Sequence, residues 1–165
     1  MGDRVRVYLA GSIRDGVPED IAWRERAIKV LIGDNCTILS PLAGKHYNHE
    51  TKMWTLYGKN ISDGKYIVNA DYWCVDRCDI LLADLRSLAQ GYASIGTMAE
   101  WGRSTARSIL RLVTVEPKQA GANAMFGLHP FIEQHAAKVF HEVDDMVDFA
   151  REHIHAITRD PRYRL

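Results

Sequence analysis

A chain of 165 residues carries 21 basic and 21 acidic side chains, so it has no net charge to hold a nucleic acid or an anionic membrane surface. Apolar residues make up 47% and charged residues 25%, the balance of one globular domain with a core of its own. No apolar run approaches the ~18 residues of a membrane-spanning helix, and the opening Met1 to Val7 runs straight into a strand without a signal-peptide pattern.

Val5 to Ala10 alternates and then turns apolar, which predicts a first strand; Gly11 to Gly16 follows as a loop at its carboxyl end. Small residues there let a ligand approach the backbone, and Arg14 offers a fixed positive fork. Taken alone, the loop reads better as a plain strand-to-helix turn. Glu19 to Ile32 spaces Ile21, Ala22, Ala27, Ile28, Leu31 and Ile32 as an amphipathic helix, ended by Gly33-Asp34-Asn35. Thr37 to Leu39 is a short strand stopped by Pro41. Ala43 to Lys65 holds His46, Tyr47, Asn48, His49, Trp54, Tyr57 and Asn60 with little periodicity; it reads as an insertion over a pocket or an irregular surface loop. Ile61 to Arg77 reads as a helix with Ser62 as N-cap and Ile67, Ala70, Cys74 and Cys78 on one face. Asp71 lies beside that face, either as a solvated helix acid or as a carboxyl group for proton transfer.

Cys78 to Ser104 is the stretch around which the rest is organised. Ile80 to Ala83 is continuously apolar, as in a parallel strand covered on both faces. Asp84 ends it at the edge where open α/β sheets bind ligands. Gly91 and Gly96 give the loop freedom, and Ser94 can cap the next helix and, with its free amides, hold an anion or a hydroxyl. Glu100, about two turns into that helix, is taken as the reactive residue. In isolation it would read as a surface acid paired with Arg103; Ser94, Gly96, Gly102 and Asp84 around it favour a site. Asp79 and Asp84 read as organisers of strand and loop ends, and His46, His49 and His129 as structural or rim residues.

Ile109 to Val115 is a further strand and Glu116 to Gly127 a loop. His129-Pro130 opens a short helical piece, Lys138 to Val143 is a last strand, Asp144 to Ala156 a terminal amphipathic helix, and Arg159 to Leu165 a polar tail. The alternation predicts a single α/β domain: an open parallel sheet of about five strands, Rossmann-like or flavodoxin-like, with helices on both faces. Right-handed crossovers then bring the Gly11 to Arg14 loop and the Ser94 to Glu100 helix to one cleft. Three cysteines, Cys36, Cys74 and Cys78, are odd in number and irregularly spaced, which argues against disulfides and for a reducing cytoplasm. With no His or Cys cluster beside them, Cys74 and Cys78 read as small buried hydrophobes and not as metal ligands.

Three segments, taken in order, resemble the nucleoside 2-deoxyribosyltransferase superfamily, which includes the 2'-deoxynucleoside 5'-monophosphate N-glycosidases. They are Tyr8 to Arg14, Asp71 followed by Cys78 to Asp84, and Ser94 to Gly102. The resemblance implies Glu100 as nucleophile, Tyr8 as the phenol that steadies it, and Asp71 as the acid that assists the leaving base. It implies that Gly11, Ser12, Ile13 and Arg14 line the sugar or its phosphate, that Ser94 and Gly96 bind substrate, and that no metal or organic cofactor is needed. Asn123-Ala124-Met125 resembles the segment one subunit lends to its neighbour's active site, so a homo-oligomer with shared sites is implied. Two substrate classes follow. Transferases carry Asp where this chain has Ser94, and a hydroxyl at a helix start suits a phosphate better. Hydrolases carry Ser where this chain has Asn123, and an amide suits a free 5'-hydroxyl. A nucleotide-binding module without chemistry is the contrasting class, and two acids in one cleft argue against it.

Overall fold

The computed structural model describes residues 4–14, 17–48, 53–57, 59–60, 64–116 and 130–159. In chain order these form β1 (Val5–Gly11), α1 (Glu19–Leu31), β2 (Cys36–Leu39), β3 (Lys45–Asn48), β4 (Met53–Leu56), β5 (Lys59–Asn60) and α2 (Gly64–Val75). Then come β6 (Ile80–Asp84), a 3₁₀ turn at Arg86–Gln90, α3 (Ile95–Thr105), β7 (Leu110–Thr114), α4 (Pro130–Glu133), β8 (Lys138–Phe140) and α5 (Val143–Arg159). Five strands make one parallel sheet in the order β2-β1-β6-β7-β8. The expected α/β architecture is therefore present.

Strand periodicity divides the core in two. On β1, Val5, Val7 and Leu9 pack with Trp23, Ala27 and Leu31 of α1 and with Met146, Val147, Ala150 and Ile154 of α5. Tyr8 and Ala10 face the other way, toward Val75 of α2, Trp101 of α3 and Ile132 of α4. Ile80 and Leu82 of β6 join the first cluster, and Leu81 and Ala83 the second. That two-sided burial is why β6 reads as an unbroken apolar run. The order 2-1-6 also puts Gly11 in register with Asp84 at the carboxyl edge. Asp84 acts as an organiser at that edge and Asp79 at the opposite, amino end of β6. Asp79 accepts from the Arg6 amide at 2.8 Å, and Asp84 accepts from the Arg86 amide at 3.1 Å and pairs with its guanidinium.

Several boundaries differ from expectation. Residues 43–65, read as irregular, contain a second, antiparallel sheet, β3-β4-β5. Its strands are too short and polar to show a period in the sequence. The last strand stops at Phe140, because Val143 already turns into the core as the first residue of α5, which runs on to Arg159. α2 starts at Gly64; its proposed cap Ser62 lies outside the described residues, as do His49 and His129. No helix among the described residues is long and apolar enough to cross a membrane.

The small sheet is closed at Gly44 and Tyr57. Gly44 has φ of +69°, the Tyr57 amide donates to its carbonyl at 3.0 Å, and a Cβ on Gly44 would lie 2.7 Å from the Tyr57 ring. Gly44→Ala is therefore expected to cost about 1–3 kcal/mol, from the strained backbone and the clash together. Hydrogen exchange checks it: the Tyr57 amide should lose protection in the variant, and unchanged protection would contradict the closure.

Candidate active site

Tyr8 leaves the middle of β1 with no exposed surface, so its hydroxyl needs an internal partner. It donates to Glu100 Oε1 at 2.7 Å. Glu100 reaches this point because α3 turns Thr97, Glu100, Trp101 and Ser104 inward as one stripe, and Glu100 is only 7% exposed. Ser94 starts the helix, its hydroxyl accepting from the Thr97 amide at 3.3 Å. The surface pairing of Glu100 with Arg103 does not occur; Arg103 bonds Asp76, just past the end of α2, at 2.8 Å.

Asp71 comes from α2 and is half-buried. Its Oδ1 accepts from Lys45 Nζ of β3 at 2.8 Å. Each carboxylate is thus held by one oxygen, Glu100 by a phenol and Asp71 by an ammonium. The other oxygen of each accepts no hydrogen bond from the described residues. Beneath them lies Arg24 of α1, 1% exposed. It donates to the Gly11 carbonyl at 2.7 Å, to the Ser12 carbonyl at 3.2 Å and to the Asp20 carbonyl.

Burial and the Asp71 charge push the Glu100 carboxyl up to about 7, against the Tyr8 hydrogen bond and the cations Arg24 and Lys45. Burial also raises Asp71, opposed by Lys45 and Arg24. Tyr8 is driven far upward by burial and then by Glu100 and Asp71, so it stays a neutral donor. Burial lowers Arg24, with Glu100 the leading group that restores its charge. The arrangement is a phenol, two acids with one free oxygen each, and two buried cations. It suits nucleophilic attack by one carboxylate with proton transfer near the other.

The opening loop is held by pairs within the chain. Arg14 is committed to Asp20, donating through Nε and Nη2 at 2.8 Å each and through its amide at 2.9 Å; Nη1 donates to Gln90 at 2.8 Å. A Cβ on Gly11 would lie 3.1 Å from Arg24 Nη2 and 3.2 Å from Trp23, so the protein itself fills the space beside that glycine. Ser12 is buried and Ile13 half-buried beside it, while Gly96 is exposed on the first turn of α3. Asn123 and Met125 lie outside the described residues. Arg24 and Lys45 were not singled out from the sequence. The signal for Arg24 was its place at helical spacing with Trp23, Ala27 and Leu31; Lys45 had none. Among the described residues no group of three or more His, Cys, Asp or Glu side chains is placed to hold a metal ion.

No family model and no curated protein matches this sequence. Solved structures do. A conserved protein from Enterococcus faecalis V583 superposes with a TM-score of 0.64 at 16% identity, covering 91% of this chain and 99% of that one. A 2-deoxyribosyltransferase from Leishmania mexicana gives 0.63 at 15% identity, covering 90% and 98%. A CMP N-glycosidase from Clostridium botulinum gives 0.56 at 14% identity, covering 88% and 97%. The chain has the fold of these proteins over nearly the whole length of each.

Proposed function

We propose that this chain is an enzyme of the nucleoside 2-deoxyribosyltransferase superfamily. In this reading Glu100 attacks C1' of a bound (2'-deoxy)nucleoside through the oxygen that Tyr8 leaves free. The C1'–N bond breaks as the C1'–O bond forms, and the departing base takes a proton from Asp71 or from water. A second base then attacks the glycosyl-Glu100 ester, and the sugar is transferred with retained configuration. The observation that carries the reading is the buried Tyr8–Glu100 hydrogen bond with Asp71 on the adjoining helix. The names of two fold neighbours, a deoxyribosyltransferase and an N-glycosidase, support it.

Hydrolysis of a 5'-monophosphate is the second reading, and Ser94 at the start of α3 is what favours it. Arg14 adds less than its charge suggests, because Asp20 already engages it on two nitrogens. The proposed setting is the cytoplasm, in purine and pyrimidine salvage, as a homo-oligomer whose shared sites use Asn123 and Met125. The test is to incubate the protein with deoxynucleosides and their monophosphates and follow free base by chromatography, with and without a second base. Appearance of the new nucleoside supports transfer; base release from monophosphates alone supports the hydrolase; no release from any substrate leaves a binding module.

Glu100 must be ionised to attack, so kcat/KM should fall as pH drops through about 7. Tyr8→Phe removes a hydrogen bond that lowers the Glu100 pKa, so this acid limb should move up by about one pH unit. The loss would then be about tenfold at pH 6 and small at pH 9. A uniform loss at every pH would refute the assigned role of the phenol.

A further inference from the structure

Lys45 is the feature of this site that neither composition nor resemblance announced. A buried ammonium is costly unless it is paired; the Lys45 side chain is 7% exposed and its Asp71 partner 15%. It stands on no element of the parallel sheet. The turn that ends in the Lys45 amide donating to the Leu42 carbonyl at 3.0 Å, the pairing of Lys45 with Leu56, and the Gly44–Tyr57 closure fix it. The small sheet thus delivers one cation to an acid on α2.

We infer that Lys45 is a positioning residue of the active site: it ties Asp71 by one oxygen and, as the cation beside the two acids, favours the ionised Glu100 that attacks. The inference rests on the function proposed above for its kinetic arm only. Among the described residues, the groups around Asp71 are Lys45 of β3, Glu100 of α3, Tyr8 of β1, Arg24 of α1 and Cys74 of its own helix. With both carboxylates charged, two cations balance two anions. Without Lys45 the largely buried cluster holds one net negative charge, and the pair takes up a proton at higher pH. Lys45 lowers both acids, so its loss moves both in the same direction.

The experiment compares wild type, Lys45→Met and Lys45→Arg in the full chain. The acid limb of kcat/KM for base release should rise by about one pH unit in K45M, the lower end of what an adjacent opposite charge does. Activity should then fall about tenfold at pH 6 and little at pH 9, and K45R should restore the limb. A merely structural lysine would scale the profile down without moving it, and that result would overturn the inference. Infrared titration of the carboxyl bands of the unliganded protein gives a readout without turnover. Between pH 6 and 8, K45M should hold more protonated carboxyl than wild type, and Asp71→Asn, which removes a neighbouring negative charge, should lower the Glu100 titration. Carboxyl bands in K45M that titrate as in wild type would sink the role of Lys45. If wild type releases no base from any substrate, the proposed reaction fails while the infrared arm still decides the role of Lys45.

Discussion

Glu100→Ala should remove base release from every nucleoside that wild type cleaves, a loss of at least about 10³-fold in kcat, because it deletes the carboxylate proposed to form the glycosyl ester. Full residual activity would remove the proposed chemistry. The same position makes a second statement, about stability. Its folded pKa lies at about 7 against an ordinary 4.5. Between those values the folded chain binds more proton than the unfolded one, so stability is lost as pH rises from about 4.5 through 7. Above pH 7 the full deficit, on the order of 3 kcal/mol, is present. Glu100→Gln keeps an acceptor for Tyr8 and does not titrate. It should therefore gain on wild type between pH 5 and pH 8, seen as a higher denaturant midpoint at unchanged slope. A pH-independent difference would mean that the carboxylate carries no such penalty.

Arg24→Ala is expected to destabilise the fold by about 3 kcal/mol. Two effects add: the Gly11 and Ser12 carbonyls lose their donor, each at roughly 1–3 kcal/mol, and a fully buried side chain leaves a cavity. Relief of a desolvated guanidinium offsets part of this, which keeps the sum near the lower end. Urea unfolding at pH 8 measures it, and a loss below about 1 kcal/mol would show that water replaces the guanidinium. The variant should also raise the Glu100 pKa, since Arg24 is among the charges that hold it down.

The sequence was most legible where burial is two-sided or where an acid falls on an inward stripe. Ile80 to Ala83 declared β6 because every residue meets a core, and Ser94 with Glu100 declared α3, whose inward face carries Glu100. α1 was placed correctly and its face read in part: Ala27, Ile28 and Leu31 pack on the core as expected. Its buried stripe is Asp20, Trp23, Arg24, Ala27 and Leu31, while Ile21 is 39% and Ile32 72% exposed. Apolar counting favours isoleucines over an arginine, and only the carbonyls at the end of β1 reverse that preference. The antiparallel sheet escaped because two four-residue strands and a two-residue one cannot show a period. Lys45 escaped with it, since its meaning lies in Asp71, 26 positions away.

The alternation along β1 ties the phenol to the most protected part of the molecule. Tyr8 cannot be re-aimed without sliding Val7 and Leu9 out of the opposite core, so its amide should exchange only through global opening. The other end of the site is held by other means. Asp71 and Lys45 stand on a helix and a small antiparallel sheet, neither of them a strand of the parallel one. Any adjustment to bases of different size should therefore come from the lysine side, with the tyrosine side serving as the fixed jaw.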